Sequence, residues 1–410
     1  MKGQNKAKLA GTLLKMERLR QNKEQKEVCL GICVPSYLSK IEHGTVCPDD
    51  KILAELFERL GILYEEDKEA LFGYQKSIEK YFYLMNYRLD TKAVYQELKA
   101  KEEKLRYSAY AIDWLLIKSF ENEEIDSMAL LKELKEHMTA EQKAYYELLC
   151  SWRIEDSEER VRLCQDACAI LNNSYAMLWL CDAYLLQGNY AAIHAMEQRI
   201  VAAAVEEGNT AELAGCFFLM GHTYACLNME EMMMLYYERG IRLLQNTGWQ
   251  NMLCVVYYNI GAVYISLKKY EPALEYLEKA QLQEKEDGEE PDIDILHKKA
   301  IACLRMGKKE EAQKFLTELK EALFSGEKPS EVDILKYEEA VMECRDGFFD
   351  DPAYLELLER LIEKIKKERH FGHLYFYRDV VIEAYKRQRK YKKALEFEEQ
   401  ISSNIIKNGI

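Results

Sequence analysis

Proline is scarce in this chain of 410 residues: six in all, and none between Asp49 and Glu271. Nineteen glycines complete a thin supply of chain breakers. Many short strands joined by tight turns need more of both, so the chain reads as stacked helices. The 12 cysteines show no Cys-x-x-Cys spacing, and several sit in apolar helical contexts, such as Cys216 in LAGCFFLMG and Cys254 in NMLCVVYY. They read as small buried hydrophobes in a reducing compartment, not as a disulfide framework. No run of about 18 apolar residues occurs, so no membrane span is expected. The N-terminus lacks the apolar stretch of a signal peptide, and a cytoplasmic location is expected. A Gly-rich phosphate loop, a His-Glu-x-x-His pair and a nucleophile elbow are also missing, so no enzyme and no cofactor is expected. His370 and His373 have no third ligand at suitable spacing and read as a surface pair.

What the chain does have is uneven charge. The formal net charge is −14. Yet residues 1–64 hold 11 Lys/Arg against 8 Asp/Glu, and the remainder holds 46 against 63. A small basic head on an acidic body confines any contact with nucleic acid to the head, because the body repels phosphate. A soluble acidic protein with an incidentally basic start fits the charge alone equally well.

The head divides into short helices. Leu9, Leu13, Met16, Arg18 and Leu19 fit a first amphipathic helix. A second starts near Glu24 and stops at Gly31, since glycine accepts the left-handed closing conformation. Pro35 suits the first turn of a third helix running to His43, with Gly44 as its stop. A fourth runs from Asp49-Asp50 to Leu60. Two such helices across a tight turn form a helix-turn-helix, whose second member enters the major groove. Leu38 and Ile41 face inward, leaving Ser36, Tyr37, Ser39 and Lys40 for bases and phosphates. A zinc site from Cys29, Cys33, His43 and Cys47 is the competing reading, but no second pair follows at finger spacing.

The run Ser39-Lys40-Ile41-Glu42-His43-Gly44, with Gln25 and Arg18 before it, is similar to the lambda-repressor/Xre class of helix-turn-helix proteins. That resemblance implies that Gln25 meets backbone phosphate and that Ser36, Tyr37 and Lys40 read bases. It also implies that Arg18–Glu42 is a structural ion pair. The turn is one residue shorter than the commonest form, and Cys33 stands where a glycine often does.

Beyond Glu65 the chain repeats itself. Gly261, Tyr264, Ala273, Leu277 and Ala280 correspond to Gly221, Tyr224, Met233, Tyr237 and Gly240 one copy earlier. A large anchor and its small or apolar partner recur as Tyr184–Ile193, Tyr224–Met233, Tyr264–Ala273, Cys303–Ala312 and Tyr385–Ala394. The anchor late in one helix packs on the partner early in the next, and a glycine one turn before it lets the two helices close up. Each pair leaves an apolar face for the next to cover, so copies stack. This is similar to the tetratricopeptide repeat. The expected fold is all-α: a helix-turn-helix over 1–66, a linker helix over 67–90, and a repeat solenoid over 91–410 that binds ligand and dimerises. About eight helix pairs are expected, with GEKPSE at 326–331 as a looser connection.

Stacked first helices line a concave groove that suits an extended peptide. Positions two and five before each anchor should face it: Trp179 and Asp182, Leu219 and His222, Asn259 and Ala262, Lys298 and Ile301, with Tyr258, His297 and Arg305 nearby. Asn259 can clamp a peptide backbone, its amide being both donor and acceptor; a helix–helix bond is the alternative. Lys298 and Arg305 read either as carboxylate holders or as solvated surface charges. An Xre-like head on such a body resembles the Rgg/PlcR/NprR peptide-pheromone receptors of Gram-positive bacteria. The resemblance implies a homodimer on palindromic double-stranded DNA, a transcription regulator gated by a short signalling peptide. A Rap-like module that docks a protein partner is the alternative.

Overall fold

The computed structural model describes residues 2–121, 125–227, 229–245, 252–287, 292–325, 329–368 and 371–408. It is helical throughout, with no strand among the described residues. Two compact units divide the chain, Met1–Asn172 and Asn173–Ile410.

The first unit contains α1 (Lys2–Arg20), α2 (Gln25–Cys29), α3 (Pro35–Glu42), α4 (Asp50–Arg59), α5 (Lys68–Asn86), α6 (Lys92–Lys99), α7 (Glu102–Arg106), α8 (Ala111–Phe120), α9 (Ile125–Glu133), α10 (Ala140–Arg153) and α11 (Ser157–Leu171). Its first four helices form the basic head. Leu14, Val28, Leu38, Ile41, Leu56 and Phe57 are fully buried there and supply its core. Asp49 caps α4 by accepting from the Ile52 N–H at 2.9 Å, which satisfies a donor that the helix start leaves open. At Gly11 the first helix comes so close to the third that a Cβ would lie 2.0 Å from the Ile41 carbonyl oxygen. Only glycine permits that approach.

The head shares its unit with α5–α11. The Tyr107 hydroxyl donates to Glu17 at 2.8 Å, and Thr12 Oγ1 lies 2.8 Å from His137 Nε2. Phe57 stacks on Tyr64 with ring centroids 4.8 Å apart. Burial pushes the Glu17 carboxyl up, but donors on Arg20, Gln21 and Tyr107 outweigh it and hold the pKa at about 2.

The second unit contains α12 (Ser174–Gln187), α13 (Tyr190–Glu207), α14 (Thr210–Cys226), α15 (Glu230–Leu244), α16 (Met252–Ser266), α17 (Tyr270–Asp287), α18 (Ile293–Arg305), α19 (Lys309–Ser325), α20 (Glu331–Glu343), α21 (Pro352–Glu368), α22 (Phe371–Phe376), α23 (Arg378–Arg387) and α24 (Tyr391–Asn408). Consecutive helices pack as pairs from α12/α13 through α20/α21, with α23/α24 last. First helices also stack on first helices: α12 on α14, α14 on α16, α16 on α18 and α18 on α20. That is the tetratricopeptide arrangement the repeat spacing predicts. The partners Met233, Ala273 and Ala312 are fully buried, as are Tyr237 and Leu277. A Cβ on Gly221 would meet the Tyr237 ring at 2.5 Å, and one on Gly261 would meet Leu277 Cγ at 2.7 Å. The small residue one turn before the anchor is therefore what sets the helix–helix distance. Residues 326–328 of the looser connection lie outside the described residues.

Candidate nucleic-acid interface and ligand groove

Helix α3, the second helix of the helix-turn-helix, is built by its ends. Pro35 opens it, and the Gly44 N–H closes on the Ile41 carbonyl at 2.9 Å. Leu38 and Ile41 anchor its inner face. Ser36 and Lys40 are exposed, and Tyr37 and Ser39 are half-buried. One hydroxyl and one ammonium therefore face fully outward, both of them groups that can hydrogen-bond base edges or phosphates. Beneath them Arg18 donates to Glu42 through both arms of its fork, Nε to Oε1 at 2.6 Å and Nη2 to Oε2 at 2.9 Å. Arg18 Nη1 also donates to the Lys23 carbonyl at 2.9 Å. The same Glu42 carboxylate accepts from Gln25 Nε2 at 2.7 Å. Gln25 thus joins the ion pair, and this bond turns its amide toward Glu42. Cys29 is buried while Cys33 and Cys47 are not. No group of three or more His, Cys, Asp or Glu among the described residues is placed to hold a metal.

The second unit collects most of the proposed ligand residues. His222 on α14, Tyr258 and Asn259 on α16, and Lys298 on α18 line one cavity of about 70 Å³. Asn259 Nδ2 lies 3.4 Å from His222 Nδ1, a link between neighbouring repeats. Arg305 lies elsewhere, in a larger cavity of about 580 Å³ beside Glu339 and Arg378. Trp179 and Asp182, on α12, line neither cavity. Trp179 is half-buried, its ring tilted against Tyr175, whereas Asp182 is exposed.

The solvated reading of Lys298 is overturned. Its side chain is only 3% exposed, and its ammonium sits 3.1 Å from the centroid of the Phe376 ring. Burial, helped by the nearby Lys336 ammonium, brings its pKa down to about 7. Arg305 is no loose surface charge either, since Nη2 pairs with the buried Glu343 at 2.5 Å. The cause is a network between α18 and α20–α21. Lys336 pairs with Asp294 at 2.5 Å, and His297 Nε2 lies 3.3 Å from Glu339. The Tyr354 hydroxyl donates to Glu343 at 2.8 Å. Buried charges survive only when paired in this way. Burial and the adjacent Glu339 push Glu343 up. Burial and the neighbouring Lys298 and Lys336 ammoniums push His297 down.

Three residues of the cavity come from an element outside the repeat pattern: His373, Tyr375 and Phe376 around α22. Sequence reasoning missed them as site residues, and His373 is a wall residue here. Its supposed companion His370 lies outside the described residues. The one available signal was an aromatic run, FGHLYFY over 371–377, that fits no repeat register.

A helix-turn-helix family matches residues 14–66, and a tetratricopeptide repeat family matches residues 255–286. No curated protein matches in sequence. Among solved structures, a Rap protein complexed with competence and sporulation factor is similar, with a TM-score of 0.62 at 12% identity, covering 82% of this chain and 98% of that one. The apo form of the quorum sensor NprR from B. thuringiensis gives a TM-score of 0.53 at 15% identity, covering 83% and 100%. NprR in complex with its cognate peptide NprX gives 0.53 at 15%, covering 77% and 98%. At such identities the likeness is one of fold. No helix among the described residues is long and apolar enough to cross a membrane. The chain therefore joins an Xre-type helix-turn-helix to tetratricopeptide repeats, on a fold it shares with Rap proteins and NprR.

Proposed function

We propose that this protein is a sequence-specific DNA-binding transcription regulator, gated by a short signalling peptide on the concave face of its repeats. The observation that carries the reading is the pairing of two surfaces in one chain. One is an outward-facing α3 with Ser36 and Lys40 exposed on a basic head. The other is a groove where His222, Tyr258, Asn259 and Lys298 converge. The solved complex of NprR with its cognate peptide supports a peptide as the effector. The regulator acts as a cytoplasmic homodimer on palindromic half-sites about one helical turn apart. A ligand coupling of about 1–3 kcal/mol would change operator occupancy severalfold or more. It performs no catalytic step.

Selection from random duplexes tests the DNA half, and native mass spectrometry of protein from its host looks for a bound peptide. Lys40→Ala should weaken binding to the selected duplex and spare the peptide; Asn259→Ala should do the reverse. Loss of both activities in each variant refutes this division of labour. A second reading, docking of a protein partner through the solenoid, draws support from the fold likeness to a Rap protein. Failure to enrich any duplex would favour it.

A further inference from the structure

Helix α22 packs on the inner helices α14 and α16, and its last residue, Phe376, covers Lys298 of α18. Its residues divide by role. Leu374 is 5% exposed and Tyr377, just past the helix, 1% exposed; both join the C-terminal cluster around Tyr354, Leu358 and Val381. His373, Tyr375 and Phe376 instead line the groove. Phe376 packs against both the C-terminal cluster and the one formed by α16–α20. Tyr375, Phe376 and Ser266 line the small cavity and the larger one alike. Tyr375 and Phe376, with Ser266, form the wall the two cavities share.

Size decides what this wall does. About 70 Å³ beside Asn259 and Lys298 holds a few waters. Pockets that enclose even small ligands run to roughly 300–1,000 Å³. No ligand group can sit on the Lys298 ammonium while the Phe376 ring covers it, since Lys298 is 3% exposed. With the rings of Tyr375 and Phe376 gone, the small cavity opens into the 580 Å³ space beyond.

Resting on the peptide-gated reading above, we infer that His373–Phe376 is an internal occupant of the concave patch. The effector is a short peptide whose aromatic side chain takes the place of the Phe376 ring over the Lys298 ammonium. The buried amine sets that preference. An aromatic face stabilises a desolvated ammonium, and an aliphatic side chain offers no such partner. The amide of Asn259 then meets the peptide backbone beside it. The device also tunes sensitivity, because apparent affinity falls by the fraction of chains whose patch is open.

The test uses the full-length chain and a fluorescent peptide with the sequence of residues 371–376, FGHLYF, read by anisotropy. Phe376→Ala should bind it at least tenfold tighter than wild type. Phe376→Leu keeps apolar volume in both clusters but removes the ring, and should tighten binding in the same direction. Circular dichroism confirms that each variant is folded. Adding Lys298→Gln to Phe376→Ala should return affinity toward wild type. Equal affinity in wild type and both Phe376 variants, or binding by none of them, overturns the inference. Duplex selection by the head is read separately. An enriched duplex with unchanged peptide affinities sinks the internal occupant alone, whereas no enriched duplex sinks the regulator and leaves the displacement result standing.

Discussion

Removing Glu42 should unfasten helix α3. Its carboxylate accepts three hydrogen bonds, two from Arg18 and one from Gln25. The Arg18 side chain is 9% exposed and that of Glu42 is fully buried. Glu42→Leu leaves a guanidinium in the core with only the Lys23 carbonyl at 2.9 Å to satisfy it. Breaking a buried pair by removing one partner costs about 3–5 kcal/mol. Half-buried Gln25 can turn to water, so about 3 kcal/mol is expected, which is roughly a hundredfold in an equilibrium. Replacing both partners, Arg18→Met with Glu42→Leu, removes the orphaned charge and should recover most of the loss. Hydrogen exchange at the Leu38 and Ile41 amides reports local opening of α3. Measured in wild type, both single variants and the double, it yields the coupling directly. Single variants within about 0.5 kcal/mol of wild type, or a double variant equal to the sum of the singles, would refute the pair as the brace of α3.

Gly11→Ala should destabilise the head despite the roughly 1 kcal/mol that alanine gains in a helix, because its Cβ would stand 2.0 Å from a backbone oxygen. A lower melting temperature together with weaker DNA retention checks it. Gly221→Ala should cost about 1–3 kcal/mol by overpacking against Tyr237, and Tyr237→Leu on that background should return part of it in urea unfolding. Lys298 has a pKa of about 7 when folded, against the ordinary 10.5. Between those values the unfolded chain binds more protons, so this group makes stability rise with pH, by at most about 1.4 kcal/mol per pH unit. Lys298→Met should remove that rise. The difference between the two proteins in urea unfolding from pH 6 to 10 isolates it from Lys336, Asp294 and Glu339, which face the same amine.

Helices α2–α4 of the head were legible because they are marked locally, by Gly31, Pro35 and Gly44, and by Asp49 as a cap. The repeats were legible because packing imposes a spacing: Gly221 must face Tyr237, and Gly261 must face Leu277 one copy later. The groove was readable as far as that register reaches, which is why His222, Tyr258, Asn259 and Lys298 converge. What escaped was the environment created by segments distant in sequence. Nothing near Lys298 announces that Phe376 will cover it, or that Lys336, Asp294 and Glu339 will crowd around it. Charged residues in the middle of a helix look solvated until a later helix lands on them. Gln25 shows the same limit, since its bond to Glu42 spans a turn whose geometry the residue types do not encode.

Helix α1 is gripped on two sides. Gly11 presses it to α3, while Tyr107 on Glu17 and His137 beside Thr12 tie it to the helices that follow. The N-terminal head is therefore not a detachable cassette. A chimera that exchanges residues 1–66 alone strands both tethers, whereas a cut at Asn172 carries them along intact.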